Sequence, residues 1–187
     1  MHESLYISIL YGDFKINSLG WEIGTKMLDI RIKAAEGLRT GDTFSISRTF
    51  TDEDVIRFAE ISRDYNPVHF DERFAKVKKF KRPICHGLLI ASIITEIGGQ
   101  IGWLASGLNI RFIKPVYAGD TVTCDFTITE IDERGRAKAE AVFTDPNGIT
   151  VAEATLKGIV PEESEKRILK AMLSEGDPTN KAALPRN

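Results

Sequence analysis

GLLIASIITEIGGQIGWL, residues 87–104, decides the fold class of this chain. The segment is apolar around nearly its whole circumference and carries one charged side chain, Glu96. A helix with no polar face has to be buried on most sides. The run is shorter than the roughly 20 apolar residues that a membrane span needs. The sequence therefore predicts one long buried helix, frayed at its end by Gly98, Gly99 and Gly102.

Strand-like runs lie on both sides of this helix, separated by glycine-containing turns. Short helices are predicted at residues 51–62 and 71–77, the first starting with a capping-box pattern. An antiparallel sheet with its helices on one face is an α+β arrangement. A sheet curled around one apolar helix is the hot-dog fold, which we predict here. The expected strands are Thr43–Phe50, Leu108–Lys114, Thr121–Ile131, Arg136–Thr144 and Ile149–Ile159.

The two ends of the chain differ from this central part. We predict an N-terminal extension at residues 1–38, a hot-dog domain at 39–161, and a C-terminal segment at 162–187. That last segment contains one amphipathic helix at 162–173 and a polar tail expected to be disordered. Met27 offers an alternative start, so residues 27–174 are expected to fold and stay active.

Composition excludes several classes of protein. With 25 basic and 27 acidic side chains the net charge is −2, whereas a nucleic-acid binder is normally basic. The apolar stretch near the N-terminus lacks the basic flank and cleavage site of a signal peptide. Two cysteines, Cys85 and Cys124, form no CxxC pair and fit a reducing compartment. We expect a cytoplasmic protein that binds neither nucleic acid nor membrane.

One short loop carries candidate chemistry. The chain has three histidines, of which His2 lies near the N-terminus, and His69 follows Asp64 by five residues. Pro67 stiffens the intervening loop and biases Asn66 away from helix. Histidine is the most common general base. An isolated pattern of this kind is more often a surface turn, so the surrounding sequence decides.

Three blocks of the surrounding sequence resemble the MaoC-like hydratases, the family of R-specific enoyl-CoA hydratases. They are SRDYNPVHFDERFA at 62–75, RPICHGLLIAS at 82–92 and FIKPVYAGDTV at 112–122. The resemblance covers about residues 40–160, with Arg63 at a position where many members have glycine. It implies a hot-dog fold and the reversible addition of water to a trans-2-enoyl thioester.

The resemblance also implies site residues. Asp64 and His69 jointly hold a water, and His69 takes or returns its proton. The backbone N–H of Gly87 donates to the thioester carbonyl oxygen, and Asn66 supports the loop. Thr95 matches a family hydroxyl that faces the aspartate, although it could equally bond within its own helical turn.

Other residues of these blocks admit two interpretations. His86 could be catalytic, could line the thioester entrance or could cap the helix structurally, and the structural role is favoured slightly. Cys85 is interpreted as a buried apolar residue, not a nucleophile. Five basic residues of the preceding loop could contact the phosphates of coenzyme A, although a solvated loop is the more common explanation: Lys76, Lys78, Lys79, Lys81 and Arg82.

The sequence as a whole predicts an (R)-specific enoyl-CoA hydratase or 3-hydroxyacyl thioester dehydratase. No metal and no cofactor is expected, with coenzyme A or an acyl carrier protein present only as part of the substrate. One alternative is a hot-dog thioesterase, for which Glu96 is the candidate carboxylate. Another is an acyl-CoA-binding domain without catalysis. A homodimer at minimum is expected, because a single hot-dog sheet leaves a long edge.

Overall fold

The computed structural model describes residues 29–177 and residue 179. Within this part of the chain, five strands form one antiparallel sheet: β1 (Thr43–Thr49), β2 (Leu104–Phe112), β3 (Thr121–Ile131), β4 (Arg136–Thr144) and β5 (Thr150–Ile159). Their order across the sheet is β1-β3-β4-β5-β2, so β1 and β2 are the two edges. Every neighbouring pair is antiparallel, as predicted.

The helices of the described residues include one, at 29–36, that the sequence did not predict, and the others follow the predicted order. They are α1 (29–36), α2 (Asp52–Ser62), α3 (Glu72–Val77), α4 (Gly87–Ile101) and α5 (Glu163–Ser174), with a 3₁₀ turn at Pro67–His69. The predicted capping box starts α2. The Asp54 N–H donates to the Thr51 hydroxyl (3.1 Å), and the Thr51 N–H donates to the Asp54 carboxylate (2.9 Å). These bonds satisfy donors that a helix start leaves free.

One face of the sheet is the core face. Alternate residues of β3 and β4 are buried, and the register sets them side by side, as in the pairs Cys124–Phe143, Phe126–Ala141 and Ile128–Ala139. Phe126 and Phe143 are fully buried, and burial of each contributes roughly 1.5–3 kcal/mol relative to exposure. Because buried and exposed residues alternate strictly, the apolar–polar alternation in the sequence predicted these strands well.

Helix α4 crosses this sheet from one edge strand to the other. At its start, the ring of Phe112 in β2 lies against Gly87. Nine residues later, Glu96 forms an ion pair with Arg48 in β1. A helix that contacts both edges spans the width of the sheet. The prediction of an α+β hot-dog fold is therefore confirmed.

The end of α4 corrects the sequence prediction. The helix stops at Ile101 instead of continuing to Leu104, because Gly102 adopts φ +67°. A Cβ at Gly102 would also lie 2.8 Å from the ring of Pro161, so glycine is required there for two reasons. Strand β2 accordingly begins at Leu104, four residues earlier than expected.

The described residues divide into two compact units. One contains 39–99 and 104–159, and the other contains 29–38, 100–103, 160–177 and 179. In the second unit Arg31 and Asp177 are buried and form an ion pair with Nε–Oδ2 at 3.5 Å. A chain ending at Ser174 would lack Asp177, the ion-pair partner of Arg31, so the folding and activity of residues 27–174 stay a prediction to be tested.

Two further sequence expectations concern the ends of the chain. Met27 and most of the predicted tail lie outside the described residues. Helix α5 lies within one residue of its predicted bounds. Among the residues that the structure describes, no helix has the length and apolarity required to cross a membrane.

Candidate active site

The loop between α2 and α3 is fixed by its own side chains. Helix α2 ends where Arg63 turns left-handed (φ +61°) and its N–H donates to the Ala59 carbonyl at 2.8 Å. The Asp64 carboxylate then accepts the Asn66 N–H at 3.2 Å, and the Asn66 side chain accepts the Val68 N–H at 3.1 Å. Two successive Asx turns therefore hold this loop in one conformation. The left-handed turn explains why glycine suits the position of Arg63.

Asp64 and His69 face each other across the loop. The Nδ1–H of His69 donates to the Ile84 carbonyl at 2.8 Å, because a carbonyl can only accept. Nε2 of the neutral ring therefore carries the lone pair, and it lies 3.8 Å from Asp64 Oδ2. That separation exceeds a direct hydrogen bond but suits one water molecule held by both atoms. The His69 side chain is 9% exposed and that of Asp64 is 48% exposed, so the pair opens to solvent on the carboxylate side.

His86 lies directly behind this pair and is 1% exposed. Its Nε2–H donates to the backbone carbonyl of Asp64 at 3.0 Å. Its ring stacks on that of His69 with centroids 3.8 Å apart, and the Phe58 ring lies 5.1 Å away. Burial lowers the pKa of His86, although its bond to the Asp64 carbonyl works in the opposite direction.

Gly87 begins α4 next to His86. The first bond of the helix runs from the Ile90 N–H to the His86 carbonyl (3.2 Å), so the Gly87 N–H has no acceptor within the helix. No other acceptor contacts it among the described residues. Free N–H groups and the positive end of the helix dipole favour a partly negative oxygen at this point. A Cβ at Gly87 would lie 2.6–2.9 Å from three ring atoms of Phe112. Only glycine fits here unless that ring moves.

This geometry can be compared with known proteins. The family model for the MaoC like domain matches residues 37–148, more than half of the chain. The chain belongs to the MaoC-like family. It is 34% identical over 131 residues to the (R)-specific enoyl-CoA hydratase of Aeromonas caviae, covering 66% of this chain and 98% of that protein. It is 32% identical to the 3-hydroxybutyryl-CoA dehydratase of Methylorubrum extorquens, covering 73% and 90%.

Solved structures show the same similarity. The (R)-hydratase from A. caviae involved in PHA biosynthesis superposes with a TM-score of 0.62 at 30% identity, covering 67% of this MaoC-like chain and 99% of that one. An R-hydratase from Pseudomonas aeruginosa gives 0.63 at 26% identity, covering 69% and 86%. The MaoC-like family and its fold were thus predicted correctly from the sequence.

The structure assigns local partners to two residues of α4. The Thr95 hydroxyl donates to the Ser92 carbonyl at 2.7 Å, and the side chain is exposed. This is the second of the two interpretations given above, a bond within its own helical turn. Glu96 forms an ion pair with Arg48, and its side chain is 15% exposed. A carboxylate held in this way is poorly placed to act as the nucleophile or base of a thioesterase.

The cysteines have no catalytic environment in this MaoC-like chain. Cys85 and Cys124 are both buried and free of disulfides. Burial raises the pKa of each thiol to about 12, so the nucleophilic thiolate is scarce at neutral pH. The Cys85 N–H donates to the Val116 carbonyl at 2.8 Å, which ties its segment to the loop after β2.

The basic loop before α4 is partly engaged in structural contacts. Arg82 donates to the Ala118 carbonyl at 2.6 Å, and its guanidinium lies 5.2 Å from the Tyr117 ring centroid. The Lys81 ammonium lies 5.6 Å from the same ring. Lys79 is exposed at a left-handed turn (φ +66°) that follows α3. Lys76 forms an ion pair with Glu72, and the Lys78 ammonium lies 5.8 Å from the Phe74 ring centroid. Of the five basic residues predicted as possible phosphate contacts, Lys79 is the one whose side chain has no ion pair, ring contact or hydrogen bond among the described residues.

Asp64, His69 and His86 also bring three potential metal-ligand atoms within 4.8 Å of one another. Their arrangement does not suit a metal ion. The two imidazoles are stacked with 28° between their planes, so their lone pairs lie in nearly parallel planes and do not converge on one point. A tetrahedral ion needs convergent ligands at about 2 Å.

Sequence reasoning missed two groups that shape this site. The Ile84 carbonyl sets the tautomer of His69, and a backbone group leaves no signal in the sequence. Asp71 caps α3 by accepting the N–H groups of Arg73 (2.8 Å) and Phe74 (3.2 Å), which fixes where the loop ends. The capping role was readable, because aspartate precedes an amphipathic run.

Proposed function

We propose that this chain is an (R)-specific enoyl-CoA hydratase, a hydro-lyase that adds water reversibly to a trans-2-enoyl thioester. The observation that carries the proposal is the Asp64–His69 pair, with the basic Nε2 of His69 aimed at a carboxylate oxygen 3.8 Å away. The hydratase and dehydratase names of its relatives support the same reaction class.

The groups of the site match the steps of this reaction. Asp64 and Nε2 of His69 hold the water, and His69 accepts a proton as the water oxygen bonds to C3. Negative charge then develops on the thioester oxygen, and the Gly87 N–H at the positive end of α4 stabilises it. The proton held by His69 is returned at C2. Water is added without net gain or loss of protons. The residues named here supply the base, the acid and the oxyanion donor, and the proposal includes no metal and no cofactor.

The alternatives predict different products. A thioesterase would release free coenzyme A, and a binding domain would release nothing. We would incubate the protein with crotonyl-CoA and with butyryl-CoA, following the enoyl absorbance and the free thiol. The proposal predicts loss of enoyl absorbance with crotonyl-CoA and no thiol from either compound. Thiol release, or unchanged absorbance with a folded protein, would contradict it.

We also propose that the protein is a homodimer. Edge strand β2 is uncovered on the sheet face that carries the core. Leu108 and Phe112 share that face with buried Leu156 and Ala152 of β5, yet they are 51% and 49% exposed. Leu88 on α4 adds a further side chain with 59% exposure. Uncovered apolar edges favour pairing with a second copy.

Light scattering tests this proposal, because the chain has a mass of 20.8 kDa. We expect twice this mass for the wild type and for Val142→Asp, a control with 41% exposure on β4. Leu108→Asp is expected to shift the mass toward the monomer, since a charge at an apolar interface is costly. A monodisperse wild-type monomer at micromolar concentration would overturn the dimer.

The nature of the carrier is the remaining part of this proposal. Exposed Lys79 is our candidate contact for the phosphates of coenzyme A or of a carrier protein arm, by charge complementarity. Parallel assays with crotonyl groups on the two carriers would rank them by kcat/KM. We propose coenzyme A as the preferred carrier, which the CoA named for the hydratase and dehydratase relatives supports. We propose the cytoplasm as the location, following the sequence expectation.

A further inference from the structure

His86 contacts each component of the proposed site without itself supplying a group to the proposed reaction. It donates to the backbone carbonyl of Asp64 (3.0 Å), stacks on His69 (3.8 Å between centroids) and precedes Gly87 in the chain. It is 1% exposed, whereas histidine is on average only intermediate in burial. A buried polar ring with three such contacts calls for a physical explanation.

The hydrogen bond determines the protonation state of the His86 ring. The carbonyl of Asp64 can only accept, so Nε2 must carry a proton. Nδ1 is buried and has no hydrogen-bond partner among the described residues. A second proton on Nδ1 would have no acceptor and would place a positive charge beside His69, so the neutral form is strongly favoured.

The neighbours of His86 agree with a neutral ring. The titratable groups beside it are His69 and Asp64, and their effects on its pKa are opposite in direction. Phe58 of α2 and Phe70 contribute uncharged rings at 5.1 and 5.9 Å. The stacked face of His69 is therefore covered by a neutral aromatic ring instead of water.

These contacts connect groups that lie far apart in the sequence. The water-holding pair belongs to the loop after α2, whereas the Gly87 N–H belongs to α4. The His86 side chain donates a hydrogen bond to the loop that carries Asp64 and His69. The His86 backbone is joined directly to Gly87 at the start of α4. The distance between the bound water and the carbonyl oxygen of the substrate depends on this connection. A misplacement of about 1 Å in such an arrangement can reduce turnover by roughly 10².

We propose that His86 is a positioning residue, a permanently neutral imidazole that holds Asp64 and His69 at a fixed distance from the Gly87 N–H. The proposal rests on the hydratase function proposed above. His86 touches neither water nor substrate in this scheme. Its removal should therefore lower kcat while KM for crotonyl-CoA stays nearly constant.

Two variants separate the two contacts of the ring. His86→Gln retains an N–H donor at a similar distance from the backbone but loses the stacked ring. His86→Phe retains a ring but loses the donor. We expect His86→Phe to lower kcat by about 10–100-fold with KM changed less than about threefold, and His86→Gln to recover at least part of that loss. Full activity of His86→Phe would overturn the proposal. So would a fall in kcat that is matched by an equal-fold rise in KM in both variants.

A second measurement does not depend on activity or on stable variants. Nitrogen-15 NMR of histidine-labelled, full-length protein distinguishes the tautomers of each ring. The expected spectrum assigns His86 as neutral with the proton on Nε2, throughout the pH range in which the protein is folded. A protonated ring, or a proton on Nδ1, would refute the neutral positioning role. If instead the folded wild-type protein left the enoyl absorbance of crotonyl-CoA unchanged, the proposed function would fail while this spectrum could still be as expected.

Discussion

Asp64→Asn changes one atom of the proposed pair and leaves the loop in place. The Oδ1 that accepts the Asn66 N–H remains an oxygen in asparagine. The second oxygen, 3.8 Å from His69 Nε2, is replaced by an amide that donates where the carboxylate accepted. The bound water would then face an N–H donor at the position where the carboxylate oxygen had accepted its hydrogen bond. General acid–base groups contribute about 10²–10⁴-fold, or roughly 2.7–5.4 kcal/mol of the barrier.

The loss should appear in kcat for crotonyl-CoA hydration and not in stability. The Asp64 side chain is 48% exposed, so the melting temperature is expected to move by less than about 2 °C. Asp71→Asn is a matched control seven residues further along, where asparagine can still cap α3. That control should retain wild-type kcat. Equal turnover in the two variants would refute the assignment of Asp64.

Three other predictions concern stability and reactivity. The Arg73 side-chain bond lowers the pKa of Asp71 below its ordinary value of 3.8, so its carboxylate stabilises the fold above that value. Urea titrations at several pH values would give the free energy of unfolding of wild type and of Asp71→Asn. The difference between the two should shrink as the pH falls below 3.8. Because burial raises the pKa of Cys85 to about 12, its thiol should not react with iodoacetamide at neutral pH while the protein is folded. The treated, folded protein should keep its activity, and the thiol should react once the protein is unfolded. Arg31→Met should cost roughly 3–5 kcal/mol in urea unfolding. Adding Asp177→Asn should recover part of it, because asparagine removes the buried charge but tolerates φ +32° and can still accept from Thr179.

The sequence predicted the strands better than the long helix. Buried and exposed residues alternate along β3 and β4 because one face of the sheet is buried, and both strands have the predicted bounds. The apolar run of α4 continues through Trp103 and Leu104 into an uncovered edge strand, so hydrophobicity could not locate the helix end. The left-handed conformation of Gly102 ends the helix, and with three glycines within five residues (98, 99 and 102) the sequence gave no means of choosing it in advance.

The candidate site was predicted in part. The Asn66-Pro67 loop brings Asp64 and His69 together as expected, because Asx turns and a proline act locally. Thr95 could not be placed, since an all-round apolar helix hides which stripe is exposed. The stacking of His86 on His69 depends on residues 17 positions apart and on a backbone carbonyl, neither of which a local pattern encodes.

The central claim is tested most directly in the dehydration direction, with the two enantiomers of 3-hydroxybutyryl-CoA offered separately. The appearance of enoyl absorbance reports water loss, and His69→Ala serves as the control for contaminating hydratase. We expect the wild type to dehydrate the 3R enantiomer, with turnover reduced about 10²–10⁴-fold in the variant. We expect no reaction of the 3S enantiomer. Dehydration of the 3S compound, or of the 3R compound equally by wild type and His69→Ala, would contradict the account.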